Sequence, residues 1–242
     1  MKFAGNSEIG KIRKENEDQY YIDEQGLILA VADGMGGHEN GKVAADIATK
    51  TFAGYKDEML KSDFASDKLA EILAAINKAV YDYKQKKANG KMMGTTFSGA
   101  VIKENILFFA HVGDSRIYVY HNGKLKQLSQ EHSYLAELLR NGELTEDDLK
   151  TQDKSKHVLT KAIGPEKSVE GQIDSYQLED GDIIVLCTDG LHNTVKDKEI
   201  EEALAKKGLL QEKVQKLIEL ALKRGGNDNI TLLLCLYEQE GK

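Results

Sequence analysis

The apolar runs in this chain are short, and they keep meeting aspartate. "LILAVADG" (Leu27–Gly34) and "IIVLCTDG" (Ile183–Gly190) each end on Asp-Gly, and "NDNITLLLCLY" (Asn227–Tyr237) begins on Asp228. A run of this length bounded by turn residues reads as a buried β-strand rather than a helix. A chain holding several of them needs a sheet-based core, and each such strand carries a carboxylate to its end.

The rest of the chain places helices around those strands. Phe3–Ile22 reads as a strand, a polar loop and a second strand near Gln19–Ile22, followed by a strand at Leu27–Ala32. The pattern turns helical over Lys42–Leu60 and Asp67–Ala88, where Leu69, Ile72, Leu73, Ile76, Val80 and Tyr83 share one face. Strands return at Thr95–Ile102, Ile106–Val112 and Arg116–Tyr120, with turns at Lys103–Asn105 and Gly113–Ser115. Links this short favour antiparallel pairing of neighbours. A short helix is expected at Ser133–Arg140, strands at Glu170–Gln177 and Asp182–Cys187 across "LEDG", helices at Asp197–Ala205 and Leu209–Lys223, and a last strand at Ile230–Tyr237. Runs of strands and runs of helices, rather than strict alternation, indicate an α+β fold. Antiparallel strands with two pairs of helices suggest two sheets face to face with helices outside.

Bulk properties narrow the function. A length of 242 residues suits one large domain or two small ones, with ample length for a buried core. A net charge of −7 argues against phosphate-neutralising nucleic-acid binding and against a basic membrane-surface protein. Met1–Lys11 has no apolar core of a signal peptide, and the run Ile230–Tyr237 is far too short to span a bilayer. Cys187 and Cys235 lie inside apolar runs and make no disulfide framework, so a cytoplasmic protein is expected.

The candidate chemistry lies in Asp33, Asp189, Asp228, Asp114 of "GDSR" and the pair Glu17–Asp18. An Asp-Gly after a strand is ordinarily just a turn. Several partly desolvated carboxylates in one cleft would instead repel one another unless a cation neutralised them, and hard ions such as Mg²⁺ and Mn²⁺ prefer such oxygen ligands. The six histidines show no zinc-site spacing. Residues six past the cysteines are Asn193 and Gly241, not the arginine of a cysteine phosphatase, and no G-x-S-x-G elbow occurs. A competing reading takes Gly36–Lys42 as a nucleotide-binding loop, but Val43 stands where a metal-binding hydroxyl is required.

The order of motifs resembles the metal-dependent PPM family of protein serine/threonine phosphatases, type two-C, in its compact bacterial form. The matching stretches are "GKIRKENED" (Gly10–Asp18), "VADGMGGHENG" (Val31–Gly41), "GTT" (Gly94–Thr96), "HVGDSRIY" (His111–Tyr118), "LTKAIG" (Leu159–Gly164), "CTDGL" (Cys187–Leu191) and "NDNIT" (Asn227–Thr231). The resemblance implies a central pair of antiparallel sheets flanked by pairs of helices, a four-layer αββα sandwich in a single domain, with a flap at about 129–157. It implies that Asp33 bridges two Mn²⁺ or Mg²⁺ ions, with the Gly34 carbonyl, Asp189 and Asp228 as further ligands. Glu17 would reach a metal through water and Asp18 would orient the cluster, while Asp114 and Asp189 would hold a weaker third ion. Arg13 would clamp the substrate phosphate, and water activated at the metals would attack phosphorus with no covalent phosphoenzyme. Met35 stands where eukaryotic relatives place a histidine acid, so the leaving group would take its proton from metal-bound water or another group, His38 being nearby in sequence. Asn193 stands where some relatives add a carboxylate to the third site. Substrates would be phosphorylated Ser/Thr proteins, among them a cognate kinase, and the chain is expected to be a monomer. A non-catalytic phosphoprotein-binding module on the same fold is the competing class.

Overall fold

The computed structural model describes residues 1–36, 39–88, 91–145 and 158–239. In chain order the elements are β1 (Lys2–Glu8), β2 (Asp18–Ile22), β3 (Ile28–Met35), α1 (Glu39–Gly54), α2 (Lys56–Met59), α3 (Ser66–Lys87), β4 (Gly94–Thr95), β5 (Phe97–Lys103), β6 (Ile106–Val112), β7 (Arg116–His121), β8 (Lys124–Gln127), α4 (Tyr134–Arg140), β9 (Gln172–Gln177), β10 (Ile183–Cys187), α5 (Asp189–His192), α6 (Asp197–Ala205), α7 (Leu210–Lys223) and β11 (Ile230–Leu236). One sheet runs β1-β11-β10-β7-β8 and the other β2-β3-β5-β6-β9, with β4 paired to the end of β3. All of these pairings are antiparallel.

Side-chain alternation explains why the central strands read as unbroken apolar runs. From β10, Ile184 and Leu186 face the other sheet, with Leu233 and Cys235 of β11 beside them. Opposite lie Leu29 and Val31 of β3 and Phe109 of β6. The alternate residues Ile183, Val185 and Cys187 pack outward on Ile200 of α6 and on Val214, Leu217 and Ile218 of α7. On the far side, Ile28 and Ala30 pack against Ala44, Ala48 and Phe52 of α1 and against Leu69, Ile72 and Ile76 of α3. Strands covered on both faces carry no polar alternation. The four-layer αββα expectation is borne out.

Five local expectations are corrected. The link Gly113–Ser115 does not join paired neighbours, because β6 and β7 belong to different sheets; "LEDG" likewise crosses from β9 to β10. A three-residue link is equally compatible with a hairpin and with a sheet switch, and Gly113, at φ +109° with Thr96 Cγ2 only 2.6 Å from where a Cβ would sit, makes the sharp change of direction. The expected strand Thr95–Ile102 is broken at Thr96 into β4 and β5, and the helix expected to reach Leu60 divides at Tyr55. Tyr83, placed on the buried stripe of α3, lies past Val80, the last buried residue of that helix, and is 38% exposed. The edge strand β8 and the one-turn helix α5 carry too little periodicity to be read from sequence. No helix among the described residues is long and apolar enough to cross a membrane.

Candidate metal centre

At one end of the sandwich a cavity of about 780 Å³ is lined by Arg13, Glu17, Asp33, Gly34, Met35, Thr96, Asp114, Asp189 and Asp228, among others. Residues from six separate stretches of sequence therefore meet in one place. Asp18 lies behind this lining, directly opposite Asp33 in the β2–β3 register and 2% exposed.

Asp33 is held by its backbone. β3 runs past it to Met35, so Asp33 lies within the strand rather than just beyond it. Its N–H donates to Thr96 Oγ1 (2.9 Å), and its carbonyl accepts from the Thr96 N–H (2.8 Å) and Thr95 Oγ1 (2.8 Å). With both backbone groups satisfied, the carboxylate is left for the cavity. Thr96 Oγ1 is also 2.7 Å from Ser115 Oγ, tying this strand to the turn that carries Asp114.

Gly34 and Gly41 permit a close approach that no side chain would allow. A Cβ on Gly34 would come 2.2 Å from the Gly41 carbonyl oxygen and 2.8 Å from that of Glu17, and a Cβ on Gly41 would come 1.9 Å from Glu17 Oε2. The first turn of α1 is thereby drawn against β3 and the Glu17 carboxylate.

Asp189 opens α5 and Asp228 precedes β11. Asn193 Nδ2 donates to Asp189 Oδ2 (2.9 Å), so the residue standing where a further carboxylate was considered instead hydrogen-bonds the neighbouring one. The His192 ring nitrogen Nε2 lies 3.0 Å from the Asp114 carbonyl. Arg13 donates to Asp228 Oδ2 (2.7 Å).

Negative charge in this end of the fold is in excess. Burial, and then repulsion from Asp18, Asp189, Asp114 and Asp228, hold the Asp33 carboxyl well above the ordinary carboxylate range. Burial raises Asp18 to about 7 even though Thr231 and Thr188 donate to its Oδ2 at 2.6 and 2.8 Å. Its other oxygen, Oδ1, is buried with no hydrogen-bond partner among the described residues. The donor set is all oxygen, which suits a hard divalent ion. The orphaned Asp18 oxygen and the glycine-lined approach to Glu17 both fit such an occupant. Among the described residues no three His, Cys, Asp or Glu side chains already converge on a single ligand point.

Residues 11–233 match the model of the family described as protein phosphatase 2C. The chain belongs to the protein phosphatase 2C family. It is 36% identical to a "putative protein phosphatase 2C-type" of Streptococcus pyogenes over 99% of both chains. It resembles the crystal structure of the Mycobacterium tuberculosis serine/threonine phosphatase PstP/Ppp with a TM-score of 0.91, at 32% identity over 98% of both chains. The catalytic domain of PstP in complex with two manganese ions resembles it with a TM-score of 0.86, at 32% identity over 96% of both. Family membership and the antiparallel sheets remove the nucleotide-loop reading of Gly36–Lys42.

The residues that hold the centre, Thr95, Thr96, Thr188, Thr231 and Asn229, sit inside quoted motifs but carry no charge, so nothing in their type singled them out. Their motif positions were the available signal. His38 lies outside the described residues, as does 146–157 of the flap.

Proposed function

We propose that this phosphatase 2C chain hydrolyses phosphoserine and phosphothreonine in proteins with two Mn²⁺ or Mg²⁺ ions, water attacking phosphorus directly and no phosphoenzyme forming. The observation that carries this reading is the surplus of buried negative charge around Asp33. A cavity of ionised carboxylates is sustainable only with cations among them.

Asp33, Asp189, Asp228 and the Gly34 carbonyl would hold the ions, with Glu17 acting through water and Asp18 orienting Asp33 from behind. Asp114 and Asp189 would take a weaker third ion. The bound ions would supply Lewis acidity, polarising the phosphoryl group and acidifying water at the site. Arg13 would receive the phosphate through a bidentate fork and balance charge on its oxygens. Among the described residues no histidine or cysteine lines the cavity, and burial pushes the Cys187 and Cys235 thiols up to about 12. Those thiols are inert as nucleophiles, which supports attack by water. Met35 lines the cavity but has no proton to give, so the leaving oxygen would draw its proton from water or from another group.

In this reading the chain is a single catalytic domain and a cytoplasmic monomer. The flap at about 129–157 adjusts substrate choice, and a cognate Ser/Thr kinase is among the substrates. Turnover of a phosphothreonine peptide is expected with Mn²⁺ and is expected to vanish with EDTA or in Asp189→Ala. Activity surviving both would remove the metal mechanism. Peptide binding without any turnover would favour the binding-module reading.

A further inference from the structure

The loop Ile9–Glu17 carries Arg13 and Glu17, yet it has little secondary structure of its own. Much of what fixes it is one side chain just before β11, the strand paired with β1. Asn229 is 4% exposed, and all three of its side-chain hydrogen bonds go to this loop. Its Oδ1 accepts the Glu17 N–H at 2.8 Å. Its Nδ2 donates to the Ile9 carbonyl at 2.9 Å and to the Glu15 carbonyl at 3.0 Å. The Asn229 backbone N–H donates to Asp228 Oδ1 at 2.8 Å. One residue thus touches Asp228, fixes the backbone of Glu17 and grips the loop on both sides of Arg13.

The surrounding contacts show that the grip is built for close approach. Lys11 N–H donates to the Gly226 carbonyl at 2.7 Å. Gly10, at φ +80°, would put a Cβ 2.3 Å from the Asp228 carbonyl oxygen. Gly190 beside Asp189 would put one 1.9 Å from the Asn229 carbonyl oxygen. An amide is suited to this place, because it offers an acceptor and two donors at once. Asp, with no donor, would face two carbonyl oxygens.

We propose that Asn229 is a positioning residue for phosphate capture, acting by holding the Arg13 loop against the end of β11. This rests on the phosphatase reading above. A bond network that fixes a clamp affects substrate binding more than the chemical step, because the loss falls on ordering the loop before phosphate arrives.

The test uses the full chain with Mn²⁺, a phosphothreonine peptide as substrate and inorganic phosphate as competing ligand. In Asn229→Ala, KM for the peptide and the inhibition constant for phosphate are both expected to rise roughly tenfold, the scale of a few lost hydrogen bonds, with kcat falling by a clearly smaller factor. The double variant Arg13→Ala/Asn229→Ala is expected to bind no worse than Arg13→Ala alone, since the two act on one event. Amide exchange at Glu17 is expected to quicken while β11 stays protected. A folded Asn229→Ala with wild-type KM and only a lower melting temperature would overturn the proposal, as would full additivity with Arg13→Ala. If Asn229→Ala does not fold, Asn229→Asp carries the same test: it keeps the acceptor for Glu17 N–H, and KM is expected to rise with that amide still protected. A wild-type protein without metal-dependent turnover would remove the phosphatase reading instead. The exchange measurement would then still decide whether Asn229 holds the loop.

Discussion

Asp18 and Asp23 stand at the two ends of β2, each 2% exposed, and they are opposite kinds of buried carboxylate. Asp23 is fully engaged by the turn that follows it. Its Oδ1 accepts the Leu27 and Ile28 N–H groups at 2.6 and 2.8 Å, its Oδ2 accepts the Gln25 N–H at 3.3 Å, and Lys56 Nζ lies 3.5 Å away. Asp18 has two hydroxyls on one oxygen and, among the described residues, nothing on the other, and faces Asp33 across the strand pair. Burial alone therefore does not mark a functional acid. What separates the two ends is whether the protein itself completes the carboxylate's bonding. Asp23 is a turn staple, whereas Asp18 belongs to a group in which buried carboxylates raise one another's charge cost, Arg13 meeting only Asp228 among the contacts described.

The largest expected effect breaks the open end. Asp33→Asn should lower phosphopeptide turnover on the order of a thousandfold, the scale of losing a principal charge-stabilising element. Its metal-free melting temperature should hold or rise, because a repelled carboxylate has been removed. Steady-state kinetics and melts in EDTA check both halves. A melting temperature that falls along with activity would mean that Asp33 is structural in the way Asp23 is.

Exchanging the two ends sharpens the contrast. Asp23→Ala strands the part-buried Leu27 N–H and the buried Ile28 N–H and should destabilise the fold by about 3 kcal/mol, with activity at 25 °C within about twofold of wild type. Asp18→Asn should do the reverse, costing roughly 10- to 100-fold in metal-dependent activity, the usual range for a group that orients a metal ligand. Denaturant melts and kinetics on both variants are the measurement. Equal stability losses would erase the distinction.

This contrast also shows how far sequence reasoning reaches. "NED" and "IDEQG" each offer an acidic residue beside a strand, and nothing in either string tells the staple from the open carboxylate. The four layers were legible because strands such as "IIVLC" are covered on both faces and announce it. The convergence of Asp33, Asp114, Asp189 and Asp228 depends on Gly113–Ser115 crossing between sheets, which spacing cannot distinguish from a hairpin. Asn229 was legible only as a letter within "NDNIT", because its role depends on a loop more than 200 positions away in sequence.

Metal binding should stabilise only through the open end. At a hundredfold excess over its dissociation constant, Mn²⁺ should add about 2.7 kcal/mol to wild type. The gain should persist in Asp23→Ala and be lost in Asp33→Asn. Melting curves across a Mn²⁺ titration read this directly. A gain in Asp33→Asn equal to that of wild type would place the ion elsewhere.

The smallest effect is in the pH dependence without metal. Asp18 sits at about 7 in the folded protein, raised chiefly by burial, against an ordinary value of about 3.9. Between those values the folded state binds more protons than the unfolded chain. Stability linked to Asp18 is therefore fully present below about pH 4 and is lost as pH rises through about 7. Asp33 feels the same neighbours, so the two acids share one titration rather than owning separate ones. In EDTA, the melting temperature of Asp18→Asn relative to wild type should climb between about pH 4 and pH 7 and level off above, since the variant lacks the carboxylate that must ionise against its neighbours. A difference that stays flat across this window would show that Asp18, like Asp23, is compensated by the fold after all.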